Sequence, residues 1–172
     1  MAKPDKIRIP YFEDDERFGF VGKYDTDKQF MGFVTGAFPK DWWSGAYPPE
    51  YLQANWDRHK QWYAVLHRFD DEGNHIGSEI WSGGSTHAGQ DAAIGRALRK
   101  LEEMRQGLGN VELCDIDVKP FAVEVDGYLF GLIYELKNYD DPANPEGTYE
   151  FVMLEPNDIM FHPPWDSGEW SS

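Results

Sequence analysis

The sequence predicts an α+β fold: an antiparallel sheet of about six or seven strands with one main amphipathic helix packed on it. Three observations predict it. Asp126-Gly127 joins two runs of alternating apolar residues, the pair a type I′ turn favours because both central positions take positive φ. Asp70-Asp71-Glu72-Gly73 closes a second, longer hairpin, with glycine suited to the left-handed position of a bulged turn. Between the hairpins, Ile94, Ala97, Leu98, Leu101, Met104 and Leu108 recur at helical spacing.

From the N-terminal side, residues 18–25 and 29–36 form a strand pair about Thr26-Asp27-Lys28, with Phe20, Val21, Phe30, Met31 and Phe33 to pack. Residues 39–60 break into Pro, Gly and aromatics, including Trp42, Trp43, Tyr47 and Trp56, and Pro48-Pro49 argues against regular structure there. Residues 61–69 and 75–82 form the next hairpin, in which His75 opposes Phe69. Strict alternation puts Tyr63, Val65, His67, Phe69, His75 and Trp81 on one face and Trp62, Ala64, Leu66, Ile76 and Ile80 on the other. Both faces are apolar, so both need a cover. The helix spans Gln90 to Gln106, ends at Gly107 and Gly109, and carries Arg96, Arg99, Lys100 and Arg105 outward.

In the last hairpin Val125 faces Tyr128, Val123 faces Phe130 and Phe121 faces Leu132. Phe121, Val123, Val125, Phe130 and Leu132 are expected to pack on the Ile94, Leu98 and Leu101 stripe, so that Val123→Asp unfolds the protein. Residues 138–147 read as a polar loop, residues 148–154 as a strand, and the rest as an irregular ending through Pro156, Pro163 and Pro164.

The chain has 172 residues, 41% apolar and 16% aromatic, and fits one globular domain over 1–172 that folds without a staple. Its N-terminus has no apolar run of a secretory leader, no segment reaches the ~20 apolar residues of a membrane span, and the one cysteine, Cys114, suits a reducing cytoplasm. Sixteen Lys plus Arg against 31 Asp plus Glu give a net charge of -15, which disfavours direct nucleic-acid or anionic-membrane binding and favours a protein partner with a basic surface.

No catalytic motif stands out. Ser82-Gly83-Gly84-Ser85-Thr86-His87-Ala88-Gly89 lies between strand and helix and offers Ser85, Thr86 and His87 as a possible ligand loop, yet it matches neither a Walker loop nor a dinucleotide fingerprint. His59, His67 and His75 recur every eight residues without a convergent carboxylate, and Asp158, His162 and Asp166 recur every four in a proline-broken segment. Neither set has convincing ligand spacing, so no metal or cofactor is expected. Cys114 sits beside Glu112, Asp115 and Asp117, whose charge suppresses its thiolate. Residues 138–172 hold acids and aromatics but no Lys or Arg.

Phe30-Met31-Gly32-Phe33-Val34-Thr35-Gly36-Ala37-Phe38-Pro39, Trp62-Tyr63-Ala64-Val65-Leu66-His67-Arg68-Phe69-Asp70, Leu154-Glu155-Pro156-Asn157-Asp158 and Pro163-Pro164-Trp165-Asp166 together resemble a bacterial family labelled formate hydrogenlyase regulatory proteins. The similarity covers most of the chain and implies an intracellular regulator acting through protein contact, with no catalytic signature to carry over. The sequence therefore leads to a non-catalytic acidic binding protein, regulator-like or of the immunity and inhibitor type. Its expected contacts are Trp42, Trp43, Asp158, Trp165, Asp166, Glu169 and Trp170. The rival is a small-ligand protein or hydrolase using Ser85, Thr86 and His87, or the Asp158 and His162 region.

Overall fold

The structure is a computed structural model and describes residues 3–138, 143 and 147–172. In chain order the elements are β1 (Ile7–Ile9), β2 (Val21–Tyr24), β3 (Lys28–Ala37), α1 (Pro49–His59), β4 (Gln61–Phe69), β5 (His75–Ser85), α2 (Gln90–Gln106), β6 (Glu112–Leu113), β7 (Ile116–Val118), β8 (Phe121–Val125), β9 (Tyr128–Asn138), β10 (Thr148–Glu155), β11 (Ile159–Phe161) and β12 (Trp170–Ser171). The α+β class stands, but the strands form two five-stranded sheets and a two-stranded one instead of a single sheet of six or seven. The first sheet runs β5-β4-β3-β2-β6, the second β12-β11-β10-β9-β8, and β1 pairs with β7.

The architecture follows from the two apolar faces of β3 and β4. Met31, Phe33, Tyr63, Val65 and Phe69 meet Tyr128, Phe130, Leu132, Val152, Leu154, Ile159 and Phe161 of the second sheet in the main core. Phe30, Ala64 and Leu66, on the opposite face, meet Ala97 and Met104 of α2 in a smaller one. The order of layers is thus helix, first sheet, second sheet. Consequently the β8–β9 hairpin keeps its expected register, Phe121↔Leu132, Val123↔Phe130 and Val125↔Tyr128, but packs on the first sheet instead of on α2. Leu98, expected in the helix seam, is 54% exposed.

Three local departures have local causes. Between Arg68↔Gly77 and Phe69↔His75 the ladder gains one residue on β5, a bulge at Ile76. From Gly77 to Ser82, until a second shift at Gly83, the side chains change face, so Ile80 opposes Val65 on the sandwich side and Trp81 opposes Ala64 beneath α2, the reverse of strict alternation. Residues 49–59 form α1 because Pro48 supplies an extended N-cap and Pro49 stands in the first helical turn, where its missing N–H costs nothing. The ending is ordered into β11 and β12, while most of the expected loop at 138–147 lies outside the described residues.

Gly83 explains much of the glycine-rich stretch. A Cβ there would lie 2.4 Å from the carbonyl oxygen of Ala93, so glycine lets α2 settle onto β5. Among the described residues no helix is long and apolar enough to cross a membrane.

Candidate functional site

A cleft of about 420 Å³ opens at one end of the sandwich, where the end of β3 meets the turn between β10 and β11. Thr35, Gly36, Phe38, Pro39, Lys40, Trp43 and Lys60 line one side; Leu129, Glu155, Pro156, Asn157 and Asp158 line the other. These two chain segments lie in different sheets, and a side-chain bond from the Thr35 hydroxyl to Asn157 Oδ1 joins them.

The aromatic wall is built by residues 38–60. Trp42 is 1% exposed: Phe38 stacks on it at 5.5 Å, Tyr47 lies at 5.3 Å and His59 of α1 at 4.8 Å. The Tyr128 hydroxyl donates to the His59 carbonyl at 2.5 Å and ties this lobe to the second sheet. With Trp42 turned inward, Trp43 turns outward, 75% exposed, its ring edge-on to Phe38 at 5.8 Å. Trp42 is therefore corrected from a partner contact to a core residue, since a buried ring offers nothing to a partner.

Both lysines of the cleft are engaged. Lys40 Nζ meets Glu124 at 2.7 Å, and Lys60 Nζ lies 4.9 Å from the Trp62 ring centroid. Gly36 makes room for that arrangement, because a Cβ there would stand 2.7 Å from Lys60 Cε. The acidic wall differs. Burial pushes the Glu155 carboxyl above the usual range, and the negative charges of Asp158 and Glu135 push it further.

The other sequence candidates do not gather here. Asp166 and Glu169 are exposed outside the cleft. Trp165 packs on the main core, with Tyr134 at 6.3 Å, and Trp170 lies against Phe18 at 5.4 Å beneath the Arg17 guanidinium at 4.4 Å. His162 shares a hydrogen bond with Ser171 at 2.6 Å, so Asp158, His162 and Asp166 do not converge. Ser85 Oγ accepts from the Ala88 N–H, Thr86 Oγ1 accepts from Trp62 Nε1 at 2.9 Å, and His87 Nδ1 meets Asp57 at 3.1 Å. Those bonds pin the loop to α1 and β4. His67 and His75 are bridged by Ser78, while His59 bonds Tyr51 elsewhere. Among the described residues no three His, Cys, Asp or Glu side chains gather as a metal site. Burial, reinforced by Glu112, pushes the Cys114 thiol up.

Sequence reasoning named Trp43 and Asp158 but missed Thr35, Lys60, Glu155 and Asn157. Two of the segments that carry the family resemblance supply most of the cleft, yet no pairing signal connects them. No family model, curated protein or solved structure matches the chain.

Proposed function

We propose that this is a non-catalytic acidic recognition protein, regulator-like or inhibitor-like, that binds a basic segment of another protein in the cleft. The observation that carries the reading is Trp43, a 75% exposed tryptophan set edge-on to Phe38 at a cleft whose facing wall holds Glu155 and Asp158. Exposed aromatics beside a concavity anchor protein contacts, and a net charge of -15 draws basic partners to the surface. The dispersal of the Ser85, His87 and His162 groups supports binding over hydrolysis. The family resemblance points the same way.

The test is binding to immobilised basic, neutral and acidic peptides. Basic peptides are expected to be retained, and Trp43→Ala to weaken them about tenfold or more with the fold intact by circular dichroism. Equal retention of acidic peptides, or indifference to Trp43→Ala, would overturn the reading.

A further inference from the structure

We propose that the cleft takes one arginine side chain of the partner, its guanidinium held between the Glu155 and Asp158 carboxylates and the exposed face of Trp43. The inference rests on the binding reading above and adds the chemistry of the anchor.

Glu155 is the starting point. Its carboxylate lines the cleft, partly withdrawn from water, and the charges acting on it are those of Asp158 and Glu135. Neither Glu155 nor Asp158 enters an ion pair or side-chain hydrogen bond among the described residues. Two nearby carboxylates of one sign, without a cation, are relieved by a cation from outside. The lysines lining the cleft do not serve, because Lys40 is held by Glu124 and Lys60 lies over Trp62.

Arginine fits better than lysine for three reasons. Its planar fork donates to a carboxylate through two parallel hydrogen bonds, which a single ammonium cannot match. It is more weakly hydrated, so entering a half-buried site costs less. Its flat face stacks on indole, and this protein already uses that pairing, with the Arg17 guanidinium 4.4 Å from the Trp170 ring. Trp43 offers a comparable ring, backed by Phe38.

The experiment is calorimetric titration of the full chain with a Gly-Ser peptide containing one arginine, and with the same peptide carrying lysine or citrulline there. The arginine peptide is expected to bind about tenfold or more tighter than the citrulline peptide, and several-fold tighter than the lysine peptide. Glu155→Gln and, separately, the exposed-site Asp158→Asn should each weaken the arginine peptide about tenfold, whereas Glu102→Gln on the outer surface of α2 should not. Thermal melting of each variant separates lost binding from lost fold. Equal affinity for arginine, lysine and citrulline, or indifference to both cleft substitutions, would overturn the arginine assignment alone, provided polybasic peptides still bind. If polybasic peptides also fail, the reading beneath it falls as well.

Discussion

His67 shows how one side chain can be placed by pattern yet charged by context. Alternation on β4 put it on one face with Tyr63, Val65 and Phe69, and that face lies in the main core, with His67 Nδ1 2.6 Å from the Ser78 hydroxyl and its Nε2 buried without a partner among the described residues. What could not be read from β4 is the set of rings around it, Phe33 from the next strand and Phe121 from the opposite sheet. Burial first, then His75, lowers its pKa from 6.5 to about 3. The unfolded chain therefore takes up this proton before the folded one. The corresponding stability is fully present above the unfolded value near 6.5 and is lost as pH falls towards 3, by at most about 1.4 kcal/mol per pH unit. Urea unfolding at pH 7.5 and 5.5 should show the wild type weakening and His67→Leu weakening less. Trp42 and Trp43 make the same point with neighbours. Sequence presents two tryptophans in a loop, and only the packing of Tyr47 and His59 decides which is core. Trp42→Ala should cost about 3–5 kcal/mol, and Trp43→Ala less than about 0.5 kcal/mol, in the same unfolding assay.

At the scale of elements, α2 was readable to its limits because an apolar stripe of 3.6-residue period leaves little choice, as was the Asp126-Gly127 hairpin because its turn fixes its register. The bulge at Ile76 was not, since an extra residue on one strand leaves no mark in composition. One extra residue has a large consequence, because it turns Ile80 onto the main core and Trp81 to the helix side of the sheet. Val123 loses its expected weight for a related reason: it lies half-buried on the edge strand β8, where a carboxylate reaches water, so Val123→Asp is milder than unfolding. Gly83 gains weight. Gly83→Val places side-chain carbon against the Ala93 carbonyl, and α2 must shift off β5 or strain. A loss of about 1–3 kcal/mol in denaturant unfolding is expected, with Gly95→Ala near neutral or stabilising because its Cβ meets only the end of Arg99 at 3.8 Å.

For the whole molecule, the sequence showed hairpins but not how they stack. Two apolar faces on β3 and β4 require two covers, and a single sequence does not say that one cover is a helix and the other a second sheet. The cleft was hidden by the same step, because it exists only where the sheets meet. Net charge, by contrast, survives folding unchanged and carries its own prediction. Exposed charges are screened over ~8 Å at physiological ionic strength, so they act on encounter more than on the docked state. Replacing Asp166 and Glu169, which lie outside the cleft, by amides should lower the association rate with a basic peptide and flatten its salt dependence, whereas Trp43→Ala should chiefly speed dissociation. Trp165→Ala, by comparison, should show first as a lower melting temperature, because that ring packs on the core. Stopped-flow measurements across a salt series check the rates.

The order of the strands also sets a timetable for synthesis. β2 to β5 and α2 leave the ribosome early and can close on each other, but much of the inner face they present, with Met31, Phe33, Tyr63 and Val65, is covered by strands that follow, β7 to β12. Until β8 to β10 emerge with Phe130, Leu132 and Val152, a nascent chain carries much of that aromatic sheet face bare. Residues 1–106 hold 14 Lys plus Arg against 17 Asp plus Glu, only -3 of the final -15, so the charge that draws a basic partner to the finished molecule arrives with the same later strands that cover this face.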